Sequence, residues 1–179
     1  MVVKKILIVS DSHGRSQNIK AAIDIERPDM LIHLGDIEDD PEVVRRWLDE
    51  TMKTSVPAVF VQGNCDGYKG LKLQSTAVFE LNDHRFYCTH GHRQGVNMGL
   101  ENLMYSALEN DCDIAMYGHT HVPFDDYFES FGDIGSGVRI LNPGSISIPR
   151  GGSKRSYMIL TFTDDGEINV ELKNLKLSK

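Results

Sequence analysis

Ile6-Leu7-Ile8-Val9-Ser10-Asp11-Ser12-His13-Gly14 joins an unbroken apolar run of strand length to a loop carrying a carboxylate, a hydroxyl and an imidazole. A run without alternation is what a strand covered on both faces requires. Helical spacing follows. Ile19, Ala22 and Ile23 keep i, i+3, i+4, Ser16 stands where a cap is needed, and Pro28-Asp29 breaks the pattern. The unit then recurs. Met30-Leu31-Ile32-His33-Leu34 ends in Gly35-Asp36, and Asp40-Pro41 starts a helix with the stripe Val44, Trp47, Leu48 and Met52. Val56 to Val61 is a third strand, ending in Gln62-Gly63-Asn64-Cys65-Asp66-Gly67. Repetition of strand, loop and helix predicts a parallel sheet with helices outside. Functional loops of such sheets gather beyond the carboxyl ends of the strands, so Asp11, His13, Asp36 and Asn64 are expected together at one edge.

Beyond residue 76 the pattern changes. Ala77–Leu81 and Arg85–Thr89 read as a hairpin turned by Asn82-Asp83-His84, and the second strand leads into His90-Gly91-His92. A helix is expected over 99–110, with Leu100, Leu103, Met104, Ala107 and Leu108 on one face. Asp113–Tyr117 is a short strand that delivers Gly118-His119-Thr120-His121. Two histidines at i and i+2 of an extended segment face the same side, and neutral imidazoles are transition-metal ligands. The remainder reads as strands. Phe124–Glu129 and Val138–Leu141 flank a glycine-rich turn around Gly135 and Gly137, Asn142-Pro143-Gly144-Ser145 is a turn, and Gly151-Gly152-Ser153 is a loop. Met158, Leu160 and Phe162 alternate, as do Ile168, Val170 and Leu172, with Asp164-Asp165-Gly166 between them. The expectation is an α/β chain: two β-sheets packed together, helices outside, in a single domain over 1–179.

A chain of 179 residues, 40% hydrophobic and 25% charged, has the balance of a globular protein with a sizeable core. Its formal charge of -7 argues against a broad nucleic-acid or anionic-membrane surface, although bound cations can reverse the field locally. The three cysteines Cys65, Cys88 and Cys112 are widely spaced and form no CxxC. That excludes a disulfide framework and a thiolate zinc motif, and it suits a reducing cytoplasm. The apolar N-terminal run is too short for a signal peptide, and no run is long enough to span a bilayer.

The ordered boxes Asp11-Ser12-His13, Gly35-Asp36-Ile37-Glu38-Asp39, Gly63-Asn64-Cys65-Asp66, His90 and Gly118-His119-Thr120-His121 resemble the calcineurin-like metallophosphoesterase superfamily. The resemblance runs from residue 6 to about 150. It is strongest to the small bacterial and archaeal phosphodiesterases, which share the GNCD and THGH boxes and the Asn142–Pro149 segment. It implies two mixed β-sheets packed as a sandwich between helices, an αββα arrangement. It also implies two divalent ions, with Asp11, His13 and His121 on one, Asn64, His90 and His119 on the other, and Asp36 bridging. Such paired ions lie roughly 3.5–4 Å apart. The mixed nitrogen and oxygen ligands point to Mn²⁺ first, with Ni²⁺, Fe and Zn²⁺ as alternatives. The implied reaction is in-line attack on a small phosphodiester by a hydroxide held between the ions, with Asn64 and Cys65 contacting the phosphate.

Cys65 departs from the superfamily, where histidine is usual at this position and is given a role at the phosphate or the leaving group. The cysteine disfavours phosphomonoesters and leaves leaving-group protonation to His92 or to solvent. His33 is expected to be structural and His84 a solvated hairpin tip. Asp39 and Asp66 are expected to brace loops. Arg93, Arg150, Lys154 and Arg155 are candidates for an anion-guiding rim. Two competing functions share the fold: a protein-interaction scaffold with no turnover, and a nuclease. The complete ligand set weighs against the first, and the lack of a basic, aromatic-interleaved stripe weighs against the second. Self-association is left open.

Overall fold

The computed structural model describes residues 3–129 and 137–176. β1 (Lys5–Val9), α1 (Ser16–Glu26), β2 (Met30–His33), α2 (Pro41–Met52) and β3 (Ala58–Phe60) form the strand-helix repeat read from the sequence. β4 (Thr76–Leu81), β5 (His84–Thr89), α3 (Glu101–Leu108), β6 (Ile114–Met116), β7 (Pro123–Phe128), β8 (Val138–Pro143), β9 (Ser156–Phe162) and β10 (Ile168–Asn174) follow. They build two mixed five-stranded sheets, ordered β10-β9-β1-β2-β3 and β4-β5-β6-β8-β7. In the first sheet β1, β2 and β3 run parallel, β9 pairs antiparallel with β1, and β10 pairs antiparallel with β9. In the second, β5, β6 and β8 run parallel between antiparallel edges β4 and β7.

The alternation of side chains along each strand distributes the apolar run of β1 between two cores. Leu7 and Val9 pack with Leu31 against Ile19, Ala22 and Ile23 of α1 and Val44 and Leu48 of α2. Ile6 and Ile8 turn the other way and meet Phe86, Ile114 and Met116 of the second sheet. The outer face of that sheet, with Tyr87, Ala115 and Ile140, is covered by Leu103, Met104 and Ala107 of α3. The result is helix, sheet, sheet, helix, and it explains why β1 and β2 read as continuous rather than alternating. The parallel strands of both sheets end at the same edge.

Two local expectations are revised. Ser16 is the first residue of α1, not its cap: Arg15 occupies the cap position without a side-chain bond. The tight turn from Ser12, closed by Arg15 N donating to Ser12 O at 3.0 Å, delivers the chain into the helix, and Ser16 Oγ donates to Asp39 instead. Asp40 does cap α2, accepting from Glu42 N at 3.0 Å. His84 is not a solvated tip. The turn is Asn82-Asp83, both with left-handed backbone, and His84 begins β5 with its ring between Asp113 and the Gly166 carbonyl. The expected turn around Gly135 lies outside the described residues. Among the described residues no helix is long and apolar enough to cross a membrane.

Candidate metal centre

The loops after β1, β2 and β3 of one sheet and β5 and β6 of the other converge at this common edge. His121 Nε2 lies 3.1 Å from Asp11 Oδ1 and 3.2 Å from His13 Nε2. His90 Nε2 lies 3.1 Å from Asn64 Oδ1, 3.4 Å from Asp36 Oδ2 and 3.9 Å from Asp11 Oδ1. Asp36 Oδ2 is also 3.9 Å from His13 Nε2, so one carboxylate reaches toward both groups of histidines. All three sets of described residues whose ligand atoms could share a cation include a residue of this cluster.

The outward nitrogens decide what the inward ones can do. His90 Nδ1 donates to the Leu34 carbonyl at 2.7 Å, His121 Nδ1 to the Ile148 carbonyl at 2.6 Å, and His13 Nδ1 to the Glu38 carboxylate at 2.5 Å. Each ring proton is thereby assigned to Nδ1, which leaves a lone pair on each Nε2. Three nitrogen lone pairs, the Asn64 carbonyl and two carboxylates then face one another with no donor among them. Asp11 Oδ1 is buried and receives no hydrogen bond. Buried acceptors of this kind are costly unless a cation lies among them. Histidines tied on the far side to a carbonyl or carboxylate are the usual arrangement around a metal.

Titration behaviour has the same cause. Burial opposes charge on Asp36, but the His90 ring and the Cys65 N–H outweigh it and hold the carboxyl well below the usual range. Burial likewise opposes charge on Asp11, and the His121 and His90 rings overcome it. Burial alone would lower His90; Asp36 and Asp11 raise it instead. The cleft therefore draws positive charge, a proton on His90 where no cation is bound, while the Nε2 lone pairs are those that the neutral rings would offer a metal. His92 and His119 respond oppositely: burial, with His90 beside them, lowers both.

The backbone is held in an unusual state here. Asp11, His13, Asp36, Glu38, His119 and His121 are six of the eleven non-glycine residues with left-handed φ among the described residues. Such strain persists where the surroundings over-determine it, and it clusters at working sites. It also corrects the reading of the histidine pair. His119 and His121 are not in an extended segment; β6 ends at Met116, and left-handed turns at φ 66 and 60 aim the two rings. Two glycines permit the crowding. A Cβ on Gly63 would stand 2.0 Å from Asp36 Oδ1, and one on Gly118 would stand 1.9 Å from Ser10 Oγ and 2.8 Å from Asp11 Oδ2.

Five of the residues expected at the site, Asp11, His13, Asp36, His90 and His121, lie in direct contact, and Asn64 joins them through His90. His119 stands further out: its ring centroid is 5.1 Å from that of His90, and its Nε2 is 2.9 Å from the Asn97 amide. His92 is 5.4 Å from His90 between ring centroids, with Nδ1 buried and unpartnered. Cys65 donates its backbone N–H to Asp36 at 2.7 Å, and burial with Asp36 beside it pushes the thiol up to about 12. His33 is structural: Gly35 N donates to its Nδ1 at 3.2 Å, Ser12 lies at its Nε2, and burial lowers it to about 4. Asp66 and Asp39 brace loops as expected. Asp66 accepts from the backbone of Asp36, Glu38 and Gly63. Of the basic residues, Arg93, Arg150 and Lys154 are exposed, while Arg155 is tied to the Ser147 carbonyl.

Sequence reasoning missed Asn97, gave Glu38 no role beyond its place in the Gly35–Asp39 box, and placed Asn142 and Ser145 in a turn and in the Asn142–Pro149 segment without a role at the cluster. Asn142 Nδ2 donates to the Gly118 carbonyl and to Thr120 Oγ1, both at 3.0 Å, and Ser145 Oγ donates to the Asp11 carbonyl at 2.8 Å. The Asn142–Ser145 turn thus braces both halves of the cluster.

A model of the calcineurin-like phosphoesterase superfamily domain matches residues 5–165. The chain belongs to that superfamily. As a calcineurin-like phosphoesterase it is similar to the probable metallophosphoesterase YsnB of Bacillus subtilis, 30% identical over 162 residues covering 89% of this chain and 85% of YsnB. It is 32% identical to the phosphodiesterase YfcE of Escherichia coli K12 over 176 residues, covering 87% and 86% of the two chains. The solved structure of a conserved, predicted phosphoesterase from Streptococcus pneumoniae superposes with a TM-score of 0.75 at 32% identity, covering 97% of this chain and 91% of that one. The superfamily's chemistry uses divalent metals, and the donor-free cluster of imidazole, carboxylate and amide acceptors fits them.

Proposed function

We propose that this calcineurin-like phosphoesterase hydrolyses a small phosphodiester by in-line displacement, using two divalent ions. The observation that carries the proposal is the convergence of the His13, His90 and His121 Nε2 lone pairs on the buried carboxylates of Asp11 and Asp36. Asp11, His13 and His121 would hold one ion, Asn64, His90 and His119 the other, and Asp36 both. When bound, such ions acidify a water into a nucleophile near neutral pH and neutralise charge gathering on the phosphate. Mn²⁺ suits the nitrogen and oxygen ligands, with Ni²⁺, Fe and Zn²⁺ as competitors.

The chain's own residues then set the ester class. Asn64 contributes an uncharged amide beside the phosphate. Cys65, with its thiol near 12, stays protonated: it can donate a hydrogen bond but brings no positive charge to a phosphomonoester dianion. A diester monoanion asks less of that position. His92 is our candidate for handling the leaving-group proton, because its Nδ1 is buried, unpartnered and beside the His90 and His119 rings. Burial, with His90 and His119 beside it, lowers its pKa and favours the neutral ring. The charge of -7 favours a small substrate over a nucleic acid, and three free cysteines fit a cytoplasmic setting.

Reconstitution with Mn²⁺, Ni²⁺, Fe²⁺ and Zn²⁺ in turn, assayed on bis(p-nitrophenyl) phosphate and p-nitrophenyl phosphate, tests this. The wild type is expected to show a higher kcat/KM on the diester, and Asp36→Asn to fall to background with every metal. Full activity in purified Asp36→Asn, or preference for the monoester, would overturn it.

A further inference from the structure

Of the three inward-facing histidines, His90 and His121 rest on neutral main-chain carbonyls, whereas His13 rests on a carboxylate. We propose that Glu38 is a positioning residue that fixes His13 in the orientation and tautomer that aim Nε2 at the first ion, an inference that rests on the two-ion reading above. Glu38 Oε1 is 2.5 Å from His13 Nδ1, and the two side chains are only 20% and 16% exposed. The contact is built from several directions. Glu38 adopts left-handed φ of 54, its N–H donates to Asp66 Oδ1 at 2.9 Å, and its Oε2 lies 3.9 Å from Lys69 Nζ. The two loops are also laced backbone to backbone: His13 N donates to the Asp36 carbonyl and Gly14 N to the Ile37 carbonyl, each at 2.9 Å. These bonds place His13 against Glu38 whatever occupies the cleft.

Glu38 is a partner of the ligand and not itself a ligand to that ion. Its oxygen contacts Nδ1, on the side of the ring away from the Nε2 that faces His121. A carboxylate there holds the proton on Nδ1 and makes the ring a more basic ligand. Among the described residues His13 is the expected ligand that the Glu38 carboxylate bonds to, so the effect of Glu38 falls first on the ion that His13 would hold. The same Asp66 carboxylate that orients the Glu38 backbone accepts from Asp36 N and Gly63 N, so it is Asp66, and not the Glu38 side chain, that sets the bridging carboxylate.

Co²⁺ titration of the metal-free protein, followed by visible absorption and calorimetry, tests the inference without reference to turnover. The wild type is expected to take up two ions. Glu38→Gln keeps an acceptor for Nδ1 but loses the charge, and Glu38→Ala loses both. One of the two binding steps is expected to weaken by about tenfold in the first variant and toward a hundredfold in the second, the other step staying within twofold. Circular dichroism and melting of the metal-free proteins check folding, and Glu38→Gln decides alone if Glu38→Ala does not fold. A folded variant that binds both ions within twofold of the wild type overturns the role of Glu38, as does equal weakening of both steps. A wild type that takes up fewer than two ions overturns the two-ion reading, and this inference with it.

Discussion

Asp66 bonds to no imidazole, yet it organises three of the residues that shape the cleft. Its side chain is fully buried and accepts the backbone N–H groups of Gly63 at 2.7 Å and of Asp36 and Glu38 at 2.9 Å. Removing it would leave three donors without a partner, each worth about 1–3 kcal/mol when buried. Asp66→Ala is therefore expected to cost on the order of 3 kcal/mol or more in urea unfolding and to abolish activity; a loss below 1 kcal/mol would show that water replaces the carboxylate. Gly118 is constrained by space: an added Cβ would press on Ser10 Oγ and Asp11 Oδ2. Overpacking of this kind costs about 1–3 kcal/mol. Gly118→Ala is expected to lose that much stability and to weaken Co²⁺ binding by shifting Asp11, whereas unchanged binding would mean that the loop yields instead. At this scale the sequence displayed the acceptors, because histidine, aspartate and asparagine at strand ends state their own chemistry. It concealed their partners. Glu38 reaches His13 only because left-handed backbone turns it back, and Asn97 reaches His119 across 22 residues.

Elements reveal a second kind of contact that periodicity does not encode. His84 opens β5 of one sheet, Asp113 precedes β6 of the same sheet, and Gly166 turns β9 into β10 of the other. The His84 ring bonds to Asp113 and to the Gly166 carbonyl, and Arg139 Nη1 reaches the Ile168 carbonyl at 3.3 Å close by. These contacts clasp the two sheets at the end opposite the candidate metal centre. Burial lowers His84, but the hydrogen bonds to Asp113 and Gly166 outweigh it and raise the pKa above its ordinary 6.5. A folded pKa above the unfolded one gives stability that is complete below about pH 6.5 and is lost as pH rises through the folded value. The gap in melting temperature between wild type and His84→Ala is thus expected to be widest near pH 5.5 and to narrow by pH 9; a gap independent of pH would mean that packing, not charge, holds the clasp. Strand-helix alternation made the first sheet legible, since each run of buried residues has a length and a period. The clasp was not legible, because His84 and Gly166 lie 82 residues apart and only the meeting of the sheets brings them together.

Taken whole, the molecule places the candidate ligands on both sides of its central seam. Asp11, His13, Asp36 and Asn64 follow strands of one sheet, and His90, His119 and His121 follow strands of the other. Between the sheets the seam is apolar, with Ile6, Ile8 and Ile32 against Phe86, Ile114 and Met116. That packing joins the halves without any ion, so we expect the metal-free chain to fold and to melt in one transition. Ions bound at the edge would add a polar staple to the same seam, because the unfolded chain cannot assemble ligands from five separated loops. Ligands that bind only the folded state stabilise it by RT ln(1 + [L]/Kd), about 2.7 kcal/mol at a hundredfold excess over Kd. For a chain of this length each kcal/mol raises Tm by about 2–4 °C, so two ions are expected to lift it by on the order of 10 °C or more. Melting with EDTA and with graded Mn²⁺ measures this, and the rise should continue logarithmically with free metal past saturation of both sites. Asp36→Asn, which removes charge from the carboxylate shared by the two halves, should flatten the dependence while leaving the metal-free melting temperature within a few degrees. A wild-type melting temperature indifferent to Mn²⁺ would show that the seven side chains meet across the seam for some purpose other than holding cations.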